Sequence, residues 1–183
     1  MNAVASSPAW RLAGAFWEIC LLKRAPQELP ASRFLFNAVA VVFILRGAVI
    51  NAFSFPIPEA LMLNIIMTGL LLLTLFALLY LRSSQARLLQ TATAMMGSSI
   101  ILFPAALALR FWFHVIEQSG SSSQFAGHCW VLLFVWELFI AAHILRHALN
   151  ARLIAGFFIA IAYVFLEFQV MYIAHDVLAP LFA

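Results

Sequence analysis

Charge is what this sequence of 183 residues has least of. Seventeen side chains, 9% of the total, are Lys, Arg, Asp or Glu, against about 25% in an ordinary soluble domain. That is too few to coat a water-soluble globule, and a hydrophobic content of 66% excludes disorder and collagen-like structure too. Two cysteines cannot build a disulfide scaffold. No Cys-x-x-Cys occurs, which rules against a quinone-linked disulfide oxidase. His-Glu-x-x-His, Gly-x-Ser-x-Gly and phosphate-cradling glycine loops are missing as well. Aspartate is represented by Asp176 alone, so a two-aspartate intramembrane protease is excluded. The net charge is +3, but no basic run is interleaved with aromatics, so nucleic acid is not an expected partner. An integral membrane protein remains, with the lipid bilayer as its first partner and no enzymatic activity or cofactor expected.

A bilayer core about 30 Å thick needs ~20 apolar residues of helix. Five stretches meet that length, at 34–53, 60–81, 88–113, 129–146 and 153–173. Pro104 removes a helical hydrogen bond from the third and predicts a kink. The fold class is therefore all-α, a bundle of five transmembrane helices over 32–183 preceded by a cytoplasmic segment over 1–31. Between Gln118 and Gln124 the run Gln-Ser-Gly-Ser-Ser-Ser-Gln reads as a flexible connector. No connection is long enough for an extramembrane catalytic domain.

The connections differ in charge. Arg11, Lys23, Arg24 and Arg33 precede the first span, Arg82 and Arg87 follow the second, and Arg146 and Arg152 follow the fourth. The alternate connections and the tail hold no Lys or Arg and carry Glu59, Glu117 and Asp176. The positive-inside rule then predicts a multi-pass inner-membrane protein with its N-terminus cytoplasmic and its C-terminus outside. Upstream of the spans, Trp10, Ala13, Trp17 and Cys20 recur at helical spacing, with Arg11 and Glu18 on the other side. Glu18 and the lack of a basic leader argue against a cleaved signal peptide. The expectation is an amphipathic helix in the interface, ended by Pro26 and Pro30.

Three passages carry a family resemblance. They are Leu21-Leu22-Lys23-Arg24-Ala25-Pro26-Gln27-Glu28-Leu29-Pro30, then Gln85-Ala86-Arg87-Leu88-Leu89-Gln90-Thr91-Ala92 with Gly97, and Trp130 through Arg146-His147-Ala148-Leu149. They resemble the segment before the first span, the start of the third and the whole of the fourth in the bacterial branch of the Yip family. These are five-span membrane proteins related to Ypt/Rab-interacting factors. The resemblance implies a five-helix fold and supplies no catalytic residues. The Asp-Leu-Tyr-Gly-Pro type motif of the eukaryotic members is absent, so GTPase partners and vesicle traffic are not implied.

Four charges fall inside the spans: Arg46, Arg110, Glu137 and Glu167. Counted from the outer span ends at helical rise, they lie about 10, 5, 12 and 9 Å deep. An intramembrane charge left against lipid costs ~2.5–3.5 kcal/mol on insertion scales, so these groups are expected to face inward and meet. Arg46 is expected to pair with Glu137 or Glu167, Arg110 to snorkel, and Asn51, Asn64, Thr68 and Gln169 to accompany them. His114, Glu117, His128, Cys129, His175 and Asp176 carry ligand chemistry at the outer side, but His114, His128 and His175 fit no recognised metal motif, so no metal is expected. His143 and His147 share a face, and their depth does not match His114 or His175, which excludes a shared haem. Cys20 and Cys129 fall on opposite sides and should stay unpaired. Ala94/Ser98 and Gly156/Ala160 offer small-residue steps for close helix approach.

Two functions follow as expectations. The first is a non-enzymatic Yip-like accessory or scaffold subunit acting through a membrane-protein partner or as a homo-oligomer. The alternative is a small transporter or carrier using the polar cluster. Hydration discriminates them: dry, direct ion pairs favour the scaffold, and a water-filled cavity reaching Arg46, Glu137 and Glu167 favours the carrier.

Overall fold

Uncharged runs of Leu, Ile, Val, Ala and Phe can satisfy their own backbone in an apolar medium only as helix or as a closed barrel. The computed structural model describes residues 8–119 and 124–182, so the connector at 120–123 lies outside the described residues. Six α-helices form among the described residues: α1 Pro8–Cys20, α2 Arg33–Asn51, α3 Ile57–Leu81, α4 Leu88–Gln118, α5 Gln124–Ala148 and α6 Leu153–Phe182. Single 3-10 turns at Pro26–Glu28 and Gln85–Arg87 precede α2 and α4. No strand occurs among the described residues. The five helices from α2 to α6 are each long and apolar enough to cross a membrane.

Local chemistry sets the ends. Ser32 caps α2 by accepting a hydrogen bond from the Leu35 amide at 3.3 Å. Pro56 opens α3, where a missing amide proton costs nothing. The helices α1, α3 and α5 all stop at a left-handed residue, Leu22, Ser83 and Asn150 (φ 60°, 50° and 50°). In each the next amide reaches back five residues: Lys23 to the Glu18 carbonyl at 2.9 Å, Ser84 to Leu79 at 2.8 Å and Ala151 to Arg146 at 2.9 Å. This is the Schellman ending, here without glycine. At Leu22 it holds a branched residue in a conformation that disfavours it by about 1–2 kcal/mol.

Three helices outrun the apolar stretches. α4 continues past 113 to Gln118, α5 begins at Gln124 instead of 129, and α6 runs past 173 to Phe182. His114, Glu117, His128 and Asp176 end the hydrophobicity there without ending the backbone hydrogen bonding. Pro104 and Pro180 both lie within helices, α4 and α6.

The five long helices close into a ring. α2 packs on α3, α3 on α6, α6 on α5, α5 on α4, and α4 back on α2. Tight crossings rest on small residues. At Gly156 of α6 an added Cβ would lie 2.4 Å from the Ala142 carbonyl oxygen of α5. At Gly47 of α2 it would run into the Asn64 side chain of α3.

α1 docks outside the ring on α4 and α5. Ala15, Phe16, Ile19 and Cys20 are its buried residues, with Ile19 fully covered, while Trp10 and Trp17 are 60% and 55% exposed. The expected stripe of Trp10, Ala13, Trp17 and Cys20 is therefore split, and only Cys20 of the four is buried. The bundle takes the neighbouring stripe because Phe16 lies against Gly97, where no side chain opposes it.

Candidate functional site

The ring surrounds a half-open cavity of about 330 Å³ that all five long helices line. Arg46 reaches it from α2, Thr74 from α3, Ser98 and Ser99 from α4, Glu137 from α5, and Tyr163 and Glu167 from α6. The rest of the wall is mostly Leu, Ile, Phe and Met. Of the four intramembrane charges, three therefore share one cavity.

The expected direct pairs are not made. The ion pairs among the described residues are Arg24–Glu18 at 3.1 Å, Arg24–Glu28 at 3.3 Å and His175–Glu59 at 2.5 Å. Ring order explains this, because α2 packs chiefly on α3 and α4, while Glu137 and Glu167 project from α5 and α6. Arg46 therefore pairs directly with neither carboxylate, yet stays within electrostatic reach of each. Its guanidinium carbon sits 4.6 Å from the centre of the Phe43 ring, in cation–π range. Its Nε is buried with no hydrogen-bond partner.

Depth also shifts with the longer helices. Glu137 is thirteen residues from Gln124 and eleven from Ala148, and Glu167 is fourteen from Leu153 and fifteen from Phe182. Both carboxylates are at mid-helix. Arg46 stands five residues from the end of α2 at Asn51.

Arg110 belongs elsewhere. It donates to the Ser54 hydroxyl at 2.6 Å and lies 5.6 Å over the Phe53 ring, beyond the end of α2. The expected companions do not line the cavity. Asn64 donates to the Ala60 carbonyl and Thr68 to the Asn64 carbonyl, both 2.7 Å away in their own helix, and Gln169 is exposed. The hydroxyls that do line it escaped the sequence reading. Tyr163 had a usable signal, since it precedes Glu167 by one helical turn and shares its face.

The outer histidines go three ways. His128 is exposed. His114 accepts from the Gln118 amide at 2.9 Å and meets the Phe53 ring edge-on. His175 donates from Nδ1 to Glu59 and lies 4.9 Å from the Phe55 ring centre. Among the described residues, no three His, Cys, Asp or Glu side chains converge as a metal site. Glu59 itself is 2% exposed, a buried carboxylate in the first turn of α3 that the sequence places only as a connection charge.

His143 and His147 anchor the N-terminal segment. His143 Nε2 donates to the Arg24 carbonyl at 3.0 Å, and Gln27 donates to the His147 carbonyl. From α4, Gln90 donates to the carbonyls of Gln27 and Leu29 at 2.9 and 2.7 Å. Arg87 donates to the His147 and Ala148 carbonyls at 3.2 and 3.3 Å, placing a cation at the C-terminus of α5, where the helix dipole favours it.

Both cysteines are free. The Cys20 thiol donates to the Ser98 carbonyl at 3.6 Å. Burial first, and the Glu137 charge second, push it up to about 11. The thiol consequently stays protonated and covered at neutral pH. At pH 8 a maleimide is expected to modify the half-buried Cys129 in the folded protein and to leave Cys20 unmodified until denaturation, read by intact mass. Modification of Cys20 at the rate of Cys129 would show that α1 leaves α4.

Fold and site together define a small all-helical protein with five membrane-length helices around a charged cavity. No protein-family model, curated protein or solved structure matches the chain.

Proposed function

We propose that this chain is a non-enzymatic, multi-pass inner-membrane carrier that takes a small ligand or ion into the cavity bounded by Arg46, Glu137 and Glu167. The carrying observation is that these charges surround a common cavity without an ion pair between them. Removing a charge from water costs several kcal/mol. A bundle that only needed pinning would recover that cost through contact. Charges held apart across a cavity are instead available to whatever enters it. The proposed orientation, N-terminus cytoplasmic and C-terminus outside, rests on the Lys and Arg distribution.

The second reading is a Yip-like accessory subunit with lateral membrane-protein partners or copies of itself. It draws on the resemblance and on exposed apolar side chains such as Leu73, Phe158 and Phe165. Lipid covers such a belt equally well, so the cavity favours the carrier.

Accessibility tests the choice. In a chain with Cys20→Ser and Cys129→Ser, a single cysteine replaces Thr74 or Ser99, with Gln85→Cys and Gln118→Cys as exposed reporters of the two ends. A membrane-impermeant thiosulfonate is applied to sealed vesicles from one side at a time. Modification at Thr74 and Ser99 from one side at least is expected. Inert cavity positions beside reactive end reporters would return the protein to the scaffold reading. The end reporters also read the orientation.

A further inference from the structure

The cavity restricts its occupant by charge, shape and size, and from these we infer that the ligand is a small amphipathic cation, an ammonium group on a single apolar tail. This inference rests on the carrier reading and names its substrate class. Arg46 can balance one of the two carboxylates, Glu137 or Glu167, which leaves the other to pair with one ammonium. Arg46 is turned onto Phe43, leaving the carboxylates as the anionic side of the site. Thr74, Ser99 and Tyr163 line the same cavity with hydroxyl-bearing side chains, and an ammonium has three protons to donate.

One apolar part of the lining extends toward the end that carries Arg82, Arg87, Arg146 and Arg152. Leu145 is two helical turns from Glu137 in that direction, and Ile159 is two turns from Glu167; both line the cavity, with Leu78 of α3 beside them. At helical rise the apolar section runs about 12 Å beyond the carboxylates. A bare alkali cation would leave that length unused, and a carboxylate amphiphile would set three carboxyl groups against one arginine. About 330 Å³ sits at the lower limit of small-molecule pockets, which suits a single short chain.

The wild-type chain in mild detergent is titrated with octylamine at neutral pH, where the amine is an ammonium, and thermal unfolding is followed. Octanol, octanoate, methylamine and sodium chloride at matched concentrations are the comparison probes. Octylamine is expected to raise Tm saturably by several degrees, with the others well below it. Replacing both carboxylates (Glu137→Gln with Glu167→Gln) should abolish that rise, and Glu117→Gln, an exposed acid at the end of α4, should keep it. Should the double variant fail to fold, octylamine must instead protect a cysteine at Thr74 from the thiosulfonate, in proportion to its concentration. Equal stabilisation by octanol or octanoate overturns the cationic headgroup, and equal stabilisation by methylamine overturns the tail. No response to octylamine, with Thr74 and Ser99 cysteines still modified, overturns the ligand class and leaves the carrier reading standing. No response with both cysteines inert overturns both.

Discussion

Replacing Gly156 by alanine is expected to lower stability by about 1–3 kcal/mol, the usual cost of overpacking a close-fitted interface, and leucine at the same position should prevent a folded monomer from accumulating. An added Cβ would lie 2.4 Å from the Ala142 carbonyl oxygen and 3.2 Å from both the Ala142 carbonyl carbon and the Arg146 amide nitrogen. All three are backbone atoms of α5, so no side-chain rotation relieves the clash. The helices must separate along the α5–α6 seam, which is part of the ring that forms the cavity. Gly69 and Gly127 provide the contrast, since a Cβ at either meets nothing within 4 Å. Alanine there should be neutral or stabilise by up to about 0.5–1 kcal/mol, the helical preference over glycine. Thermal unfolding and elution profile in mild detergent measure the series. A Gly156→Ala chain as stable as Gly69→Ala would show that the seam is looser than this geometry.

Replacing Arg46 by methionine is expected to cost about 3 kcal/mol. That is the lower limit for stranding a buried charge, chosen because a cavity separates the partners. Methionine fills much of the arginine's volume, so the loss reports charge. Without the guanidinium, Glu137 and Glu167 confront each other with no cation in the cavity. Adding Glu137→Gln removes that confrontation. The double variant should then be more stable than the summed single losses predict, by well over the ~0.5 kcal/mol within which independent sites add. Additivity within that margin would mean that Arg46 and Glu137 do not interact across the cavity. Chemical denaturation of wild type, both singles and the double completes the cycle.

Helical content and the five membrane-length segments were legible because each depends on a run of neighbours. A stretch such as Ala60 to Leu81 carries no charge and leaves its backbone only one local solution in an apolar medium. Local chemistry marks the helix starts at Ser32 and Pro56, but the span bounds at 34 and 60 rest on hydropathy alone. Helix ends were illegible at 113 and 129, where hydropathy falls while hydrogen bonding continues into Gln118 and back to Gln124. The intramembrane charges were visible as residues, and their inward preference follows from the cost of a charge in lipid.

Neighbourhood was not legible. Whether Arg46 touches Glu137 depends on which helices are adjacent in the ring, and span order leaves that open. The same ambiguity hid the bond of His175 to Glu59, 116 residues apart in sequence, and the choice of Phe16 and Ile19 over the tryptophans as the docking face of α1.

The sequence by itself determined an all-helical chain with five membrane-length helices and a small stock of inward charges, because composition and local periodicity act over one or two helical turns. Only the tertiary structure decided that the helices close as α2–α3–α6–α5–α4, that three of the charges stand apart around one cavity, and that Arg110 lies outside it. Those outcomes depend on side-chain fit at a few close approaches, Gly47 on Asn64, Gly97 on Phe16 and Gly156 on Ala142. Such contacts join residues distant in sequence, and they exist only once all the helices are in place.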